Sequence, residues 1–246
     1  MDNAVKILTL LSRKKFFKSN LSEIARALSL TPTTCYRILH RLEELSIVRY
    51  DKSSKRYSLG PYLVVLGERA KESLFDISLV IPYLESLSEK TGLTCVLVNR
   101  IGETRSTIIA KAEGGNFGIN VSVGRHFSIV DGAYGKCFLS YMDEEEADKL
   151  LRTNKGLRIL SEQEIIELKQ EFPLIRKRGY ATTFGEYIKG IFDVAAPLFN
   201  TDKTVEMVIC LFGMTAQCEG HELASKGELL KSVADEISAK ITGYDK

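Results

Sequence analysis

Long hydrophobic runs are missing from this chain of 246 residues. No apolar stretch reaches the ~18–20 residues that cross a bilayer. The opening "MDNAVKILTLLSRKKFF" has too short an apolar run for a secretory leader and carries Asp2 where such a leader is positive. A cytoplasmic protein with no membrane partner is therefore expected. Cysteine is sparse: Cys35, Cys95, Cys137, Cys210 and Cys218 are odd in number, scattered, and form no CxxC pair. That spacing indicates neither a disulfide framework nor a structural zinc site. Among the 3 histidines, His126 and His221 have no His or Cys at ligand spacing, even with Asp131 nearby, so no metal and no cofactor is expected. Ser/His/Asp order and a nucleophile elbow are absent as well, which argues against an enzyme. No internal repeat or low-complexity tract appears. What remains is a composition of 44% hydrophobic and 27% charged residues, that of a globular protein.

The small net charge of +2 hides a split. Residues 1–60 carry 12 Lys/Arg against 5 Asp/Glu, and residues 61–246 carry 22 against 27. A basic head on an acidic body points the head at a polyanion while the body stays unattracted to it. A lysine-rich surface without a partner is the plainer alternative.

The head parses into short elements. Val5, Leu8 and Leu11 recur at helical spacing within 3–13, widened by Ile7 and Leu10. A basic loop, "RKKFFKSN", follows. Ser22 reads as the cap of a short helix over 23–28. Thr31 and Pro32 open the next helix, which runs to about Leu45, because proline is tolerated in a first turn. "IVRYDKSSKRYSLG" reads as a hairpin with strands at 47–51 and 55–59. Three helices and a hairpin make a winged helix.

From Pro61 the pattern changes. Residues 62–73 read as a linker helix and 76–91 as a second helix stopped by Gly92. "LTCVLVNR", "RSTIIAKAE", "NFGINVSVG", "YATTFGEY", "GIFDVAAPLFN" and "VEMVICLFG" have strand composition. Helices are expected from about Ala133, over "DEEEADKLLR", over "SEQEIIELKQEFPLIRKRG", and at the C-terminal end. The expected organisation is a head at 1–60, a linker helix at 61–75, and an α+β domain with an antiparallel sheet at 76–246.

The stretch "LSEIARALSLTPTTCYRILHRLEELSIV" carries the chemistry. Ile24, Leu28, Leu30, Cys35 and Ile38 form an apolar set for a helix-turn-helix, with Ala25 at the close approach and Ser29 in a turn that suits glycine. The second helix is expected to bury Cys35, Ile38, Leu39, Leu42 and Leu45 and to leave Thr31, Thr33, Thr34, Tyr36, Arg37, His40 and Arg41 free. Hydroxyls and a guanidinium suit phosphates and base edges. Lys52, Lys55 and Arg56 of the wing suit backbone or minor-groove contact, and Ser22 joins them at the start of the first helix. Paired major grooves call for a symmetric dimer, with "YLVVLGERA" as its natural seam. Cys137 beside Lys136 is a candidate reactive thiol, though on a helix interior it reads more simply as packing. The glycine-rich "GGNFG" at 114–118 is a candidate lid.

Taken with "KRYSLG", this stretch resembles the DNA-binding domain of the IclR family of bacterial transcriptional regulators. "TGLTCVLV", "VGRHFSIVDGAYGKCFLSYM" and "IRKRGYATTFGEYIKGIFDVAAPLF" extend the resemblance over nearly the whole chain. The resemblance implies that 76–246 is a GAF-like effector-binding and oligomerisation domain, and that the protein is a regulator, commonly a repressor. It would bind a double-stranded DNA operator as a homodimer or homotetramer under control of a small-molecule effector. Carried over by position, the pocket takes Ala133 and Tyr134 from "GAYGK", Ile191 and Asp193 from "GIFDVAAP", Thr183 after "RGY", Cys210 and Phe212 from the last strand, and Ile119 as an apolar wall on a strand. Period-two spacing independently puts Ile191 with Asp193, and Cys210 with Phe212, on common faces.

This chain departs from the family pattern in "CLFGM", "ATTFGE" and "VDGAYGK". The departures imply a more aromatic pocket, made acidic by Asp131 and Asp193. Such a pocket favours a ligand with hydroxyl or amine donors, or an acid held through a metal or an arginine. The alternative is that Asp131 caps a helix and Asp193 meets solvent or an ion pair. A metabolite-converting enzyme and a ligand-binding adaptor with an appended winged helix remain the competing functions.

Overall fold

A computed structural model describes residues 2–73, 75–115, 118–153, 156 and 159–244. The chain divides into two units, Met1–Phe75 and Asp76–Lys246.

The first unit contains α1 (Asp2–Leu11), α2 (Leu21–Ala27), α3 (Pro32–Glu44), the antiparallel hairpin of β1 (Val48–Asp51) and β2 (Arg56–Leu59), and α4 (Tyr62–Ser73). Ile7, Leu11, Ile24, Cys35 and Leu39 are fully buried between the helices, and Val48 and Tyr57 close the core from the hairpin. Ala25 is buried, and its carbonyl accepts a 2.9 Å hydrogen bond from the Leu30 amide, which folds the turn back onto α2. Ser29 takes φ +53° in that turn, the left-handed backbone that glycine adopts more cheaply.

Two expectations for the head are corrected. Ser22 does not cap α2. Asn20 does, accepting from the Glu23 amide at 2.9 Å while the Glu23 carboxylate accepts from the Asn20 amide at 2.9 Å. An amide side chain one residue ahead of the helix completes this reciprocal pair, so Ser22 rides exposed in the first turn. Leu45 is 48% exposed, because α3 ends at Glu44 and the chain turns away through Ser46 at φ +56°. Asn20→Ala is expected to cost about 0.5–2 kcal/mol of the head's stability, read as a lower urea midpoint by far-UV circular dichroism.

The second unit is a six-stranded antiparallel sheet in the order β5-β4-β3-β8-β7-β6. Its strands are β3 (Thr94–Ile101), β4 (Arg105–Ala112), β5 (His126–Ser128), β6 (Ala181–Phe184), β7 (Ile191–Phe199) and β8 (Val205–Met214). Both faces are covered, so the central strands run apolar rather than alternating with polar residues. Cys95, Leu97, Val194, Ala196, Ile209 and Leu211 face one core with α5 (Phe75–Thr91) and α9 (Glu222–Tyr244). Val96, Val98, Ala195, Val208 and Cys210 face the other, with α6 (Gly132–Ser140), α7 (Glu144–Thr153) and α8 (Glu162–Arg178). Pro197 is tolerated inside β7 because β6 pairs only as far as Ala195, leaving an edge beyond it.

One expected strand is absent. Residues 118–124 of "NFGINVSVG" form no strand, and the edge of β4 is taken instead by His126–Ser128. Gly124 at φ +81° interrupts the extended run and turns the chain into that edge. Asn116 and Phe117, within the "GGNFG" segment, lie outside the described residues.

Candidate nucleic-acid interface and binding pocket

On the head, α3 presents its N-terminal face to solvent. Thr31 caps the helix, its hydroxyl oxygen accepting from the Thr34 amide at 3.2 Å, and the two threonine hydroxyls lie 2.9 Å apart. These two threonines are thus tied to the helix start, while Thr33, Tyr36 and Arg37 stand exposed beside them. Arg37 makes no ion pair among the described residues, so its guanidinium keeps its donors. His40 and Arg41 are also exposed, but both lean on Glu44, at 3.6 Å and 2.8 Å. The acid at the far end of α3 therefore neutralises part of that end.

The wing is built by Asp51, whose carboxylate accepts from the Ser53 amide at 2.9 Å and from the Ser53 and Ser54 hydroxyls at 2.7 Å each. These bonds hold the Asp51 carboxyl well below the usual range. Lys52 and Lys55 project from this turn into solvent. Arg56 is engaged as well as partly exposed: its guanidinium donates to the Lys18 carbonyl at 2.7 Å and pairs with Glu23 at 3.4 Å. Those bonds fasten the wing to the loop ahead of α2, as does the bridge between Ser19 and Tyr57. Arg13, Lys14, Lys15 and Lys18 on that loop are exposed and adjoin the wing, an extension of the basic surface that residue pattern alone shows only as a loop.

In the second unit, a cavity of about 110 Å³ opens between β7, β8, β5 and the start of α6. Thr183 pairs with Asp193 and Asp193 with Phe212, one cross-strand row on one face of the sheet. Phe212 in turn pairs with Thr94, whose hydroxyl donates to the Ile119 carbonyl at 3.0 Å and pins the loop that forms one wall. Of the residues expected in a pocket, Ile119, Tyr134, Ile191, Asp193 and Phe212 line it. Ile119 does so from a loop rather than from a strand.

Four do not line it. Ala133 is fully buried and contributes its amide, which donates to Asp193 Oδ2 at 2.6 Å. Thr183 is buried and hydrogen-bonds Asp193 Oδ1 through its hydroxyl. Cys210 lies wholly in the core, its thiol pushed far up by burial. Asp131 occupies the N-cap position of α6 without a side-chain cap bond, and a Cβ at Gly156 would stand 2.2 Å from its Oδ1. Its carboxyl thus lies against the 156 backbone and is not part of the cavity lining.

Among the described residues, Asp193 meets neither solvent nor a direct ion pair. It is 5% exposed, and burial pushes its carboxyl up to about 7, partly offset by the Ala133 amide and the charge of Lys136. The N-terminal amide of α6, a natural anion partner, is therefore occupied by the protein's own carboxyl. Gly132 permits this: its φ is +65°, and a Cβ there would lie 2.8 Å from Asp193 Oδ2. Burial also raises the Tyr134 phenol and the Cys137 thiol, so the thiol is a packing group and not a reactive one.

Residue pattern misses Asn120, Val121, Arg125, Phe127, Tyr187 and Ile188, which with Gly132 complete the lining. Tyr187 and Ile188 sit between Gly185 and Gly190, both at positive φ, and the flanking glycines are a readable sign of such a loop. Glu186 of the same loop pairs with buried Lys136 at 2.9 Å, and Lys136 also pairs with Glu171 at 3.0 Å.

A winged helix with an exposed second helix on a basic head, carried by a chain with a further α+β domain, is the architecture of a DNA-binding transcriptional regulator rather than of an enzyme. Similarity to known proteins points the same way. The model of the IclR helix-turn-helix domain matches residues 1–52, and that of the bacterial transcriptional regulator IclR C-terminal domain matches residues 75–239. The chain belongs to the IclR family of transcriptional regulators. Its relatives include the HTH-type transcriptional regulator KipR of Bacillus subtilis, 26% identical over 229 residues that cover 91% of this chain and 90% of KipR. The transcriptional repressor IclR of Escherichia coli is 23% identical over 238 residues, covering 91% of this chain and 83% of that one. A crystal structure of an IclR transcriptional regulator from Alicyclobacillus acidocaldarius matches with a TM-score of 0.88 at 38% identity, covering 98% of this chain and 97% of that chain.

Proposed function

We propose that this regulator is a repressor that binds its operator as a homodimer or homotetramer and changes its hold when a small molecule occupies the cavity of the second unit. The observation that carries the reading is the exposed face of α3, where Thr33, Tyr36 and Arg37, which has no ion pair among the described residues, stand on a basic head. Arg37 reads a base edge or clamps a phosphate, and Lys52 and Lys55 hold the backbone. Ser22, Thr31, Thr34, His40 and Arg41 are flanking contacts, weakened where cap bonds or Glu44 engage them. Arg56 positions the wing. For oligomerisation, α4 offers Tyr62, Val64, Val65 and Leu66, each at least 40% exposed, on a helix that leaves these apolar side chains in solvent within one chain. A regulator working in the cytoplasm fits this reading, since no helix among the described residues is long and apolar enough to cross a membrane.

Salt dependence tests the DNA reading. Binding to the DNA upstream of the chain's own gene is expected to weaken linearly in log salt. The triple variant Lys14→Gln, Lys15→Gln, Lys18→Gln is expected to flatten that slope by about 2–3, near 0.9 for each phosphate left without its lysine. An unchanged slope would remove the loop ahead of α2 from the interface.

A further inference from the structure

We infer that Gly60 and the Ser46 carbonyl form a fixed joint between α3 and α4, and that this joint sets which half-site spacing the protein accepts. The inference rests on the reading of the head as a paired DNA reader with α4 at its seam, and adds the residues that fix the spacing. α3 stops at Glu44, and the chain leaves it through Ser46 at φ +56°. The Ser46 amide donates to the Glu43 carbonyl at 2.8 Å, and the Ile47 amide donates to the Leu42 carbonyl at 2.9 Å. These bonds occupy carbonyls that the last turn of a helix leaves open. The carbonyls of the same two residues then serve the start of α4. Ile47 accepts from the Gly60 amide at 2.8 Å, and Ser46 accepts from the Tyr62 amide at 3.2 Å. Pro61 has no amide hydrogen, so Tyr62 brings the first open donor of α4, and the exit of α3 takes it. One dipeptide, Ser46-Ile47, thus joins the end of the reading helix to the beginning of the seam helix.

Only glycine fits this joint. Gly60 is buried, and a Cβ on it would stand 2.2 Å from the Ser46 carbonyl oxygen and 2.8 Å from the Ile47 carbonyl carbon. Both are backbone atoms, which cannot swing aside as a side chain does. Moving the closer contact out to an ordinary 3.4 Å displaces the joint by about 1 Å. α3 is 13 residues long and carries Thr33 and Arg37 in its first half, away from the joint. Across a helix about 10 Å wide, such a displacement is a tilt of roughly 6°, or about 2 Å at the far end of a helix of this length. One base-pair step along DNA is ~3.4 Å. A single methyl group at Gly60 therefore misplaces the reading end by a large part of one base pair.

Anisotropy titrations of the full chain on its own upstream DNA, with one base pair added or removed between the half-sites, test this. The parent is expected to bind the altered spacings about tenfold or more less tightly than the native one, since rigidly held heads must deform the DNA to fit. Gly60→Ala is expected to shift the preferred spacing or to shrink this ratio below about threefold. A loss of folded protein lowers binding to every spacing alike and leaves the ratio unchanged, so the ratio reports the joint. Tyr62→Pro removes the donor at a first-turn position where proline is tolerated, and Tyr62→Ala removes the same ring but keeps the amide. The proline variant is expected to behave as Gly60→Ala does, and the alanine variant to keep the parent's ratio. If Gly60→Ala binds no DNA, Tyr62→Pro decides. The parent's ratio and spacing retained in a DNA-binding Gly60→Ala or in Tyr62→Pro overturns the joint, and so does a ratio lost equally in Tyr62→Ala. The paired reading survives each of these results, because the parent still discriminates between spacings. A parent that binds all three spacings alike removes the paired reading and the joint together.

Discussion

Arg37→Ala is expected to weaken binding to the chain's own upstream DNA by about 5- to 150-fold, the 1–3 kcal/mol that a bidentate pair with a base contributes. Fluorescence anisotropy at fixed salt measures it. The expectation follows from what the neighbouring cations are doing. Arg41 stands about one turn further along α3 and is equally basic, but Glu44 holds it at 2.8 Å. Arg56 is fastened to the Lys18 carbonyl and Glu23. Arg37 alone among these three arginines has no acidic partner among the described residues. Arg41→Ala is therefore expected to cost less than about threefold, the range of an exposed ion pair exchanged for another. Equal losses at the two positions would show that α3 contributes bulk charge and no directed contact.

The second large effect concerns Asp193. In the unfolded chain this carboxyl ionises near 3.8, and in the folded chain burial pushes it up to about 7. Between those values the folded state holds a proton that the unfolded state has released. Folding takes up a proton, so stability falls as pH rises through this window and levels off above it. The Ala133 amide and Lys136 moderate the shift, while Glu186 across from Lys136 adds to it. At roughly 1.36 kcal/mol per pH unit the whole effect is on the order of 4 kcal/mol. Asp193→Asn keeps the shape and an acceptor for the Ala133 amide but cannot ionise. Urea unfolding of the parent and the variant from about pH 4 to pH 8 is expected to show the variant gaining stability relative to the parent across that range, by up to this amount. A pH-independent difference would mean that Asp193 is ionised in the folded chain throughout.

Much of this architecture is legible in the residues because local chemistry and global packing agree. Pro32 behind Thr31, the apolar spacing of Cys35, Leu39 and Leu42, and the serine turn between Lys52 and Lys55 all act within a few residues. The cap of α2 is harder to assign because Ser22 and Asn20 are both good capping residues, and only the reciprocal bond with Glu23 distinguishes them. The pocket row Thr183–Asp193–Phe212 is a cross-strand relation, which spacing along one strand does not fix. Period two places Ile191 with Asp193 correctly. It also puts Cys210 on the face of Phe212 without revealing that α6 packs over the former and leaves the latter open. Arg125 is invisible for a related reason: it follows a glycine turn into a three-residue edge strand, and nothing local says that its side chain reaches the cavity.

The central claim is that the winged helix reads DNA through α3 as a paired assembly. A nuclease footprint of the purified chain on its own upstream DNA tests it most directly. The account predicts two protected half-sites whose centres lie one helical turn, ~10–10.5 base pairs, or a multiple of it apart. It also predicts that this protection disappears in Arg37→Ala at concentrations where Asp193→Asn still protects. A single unpaired protected segment, or paired protection that survives Arg37→Ala unchanged, would contradict it.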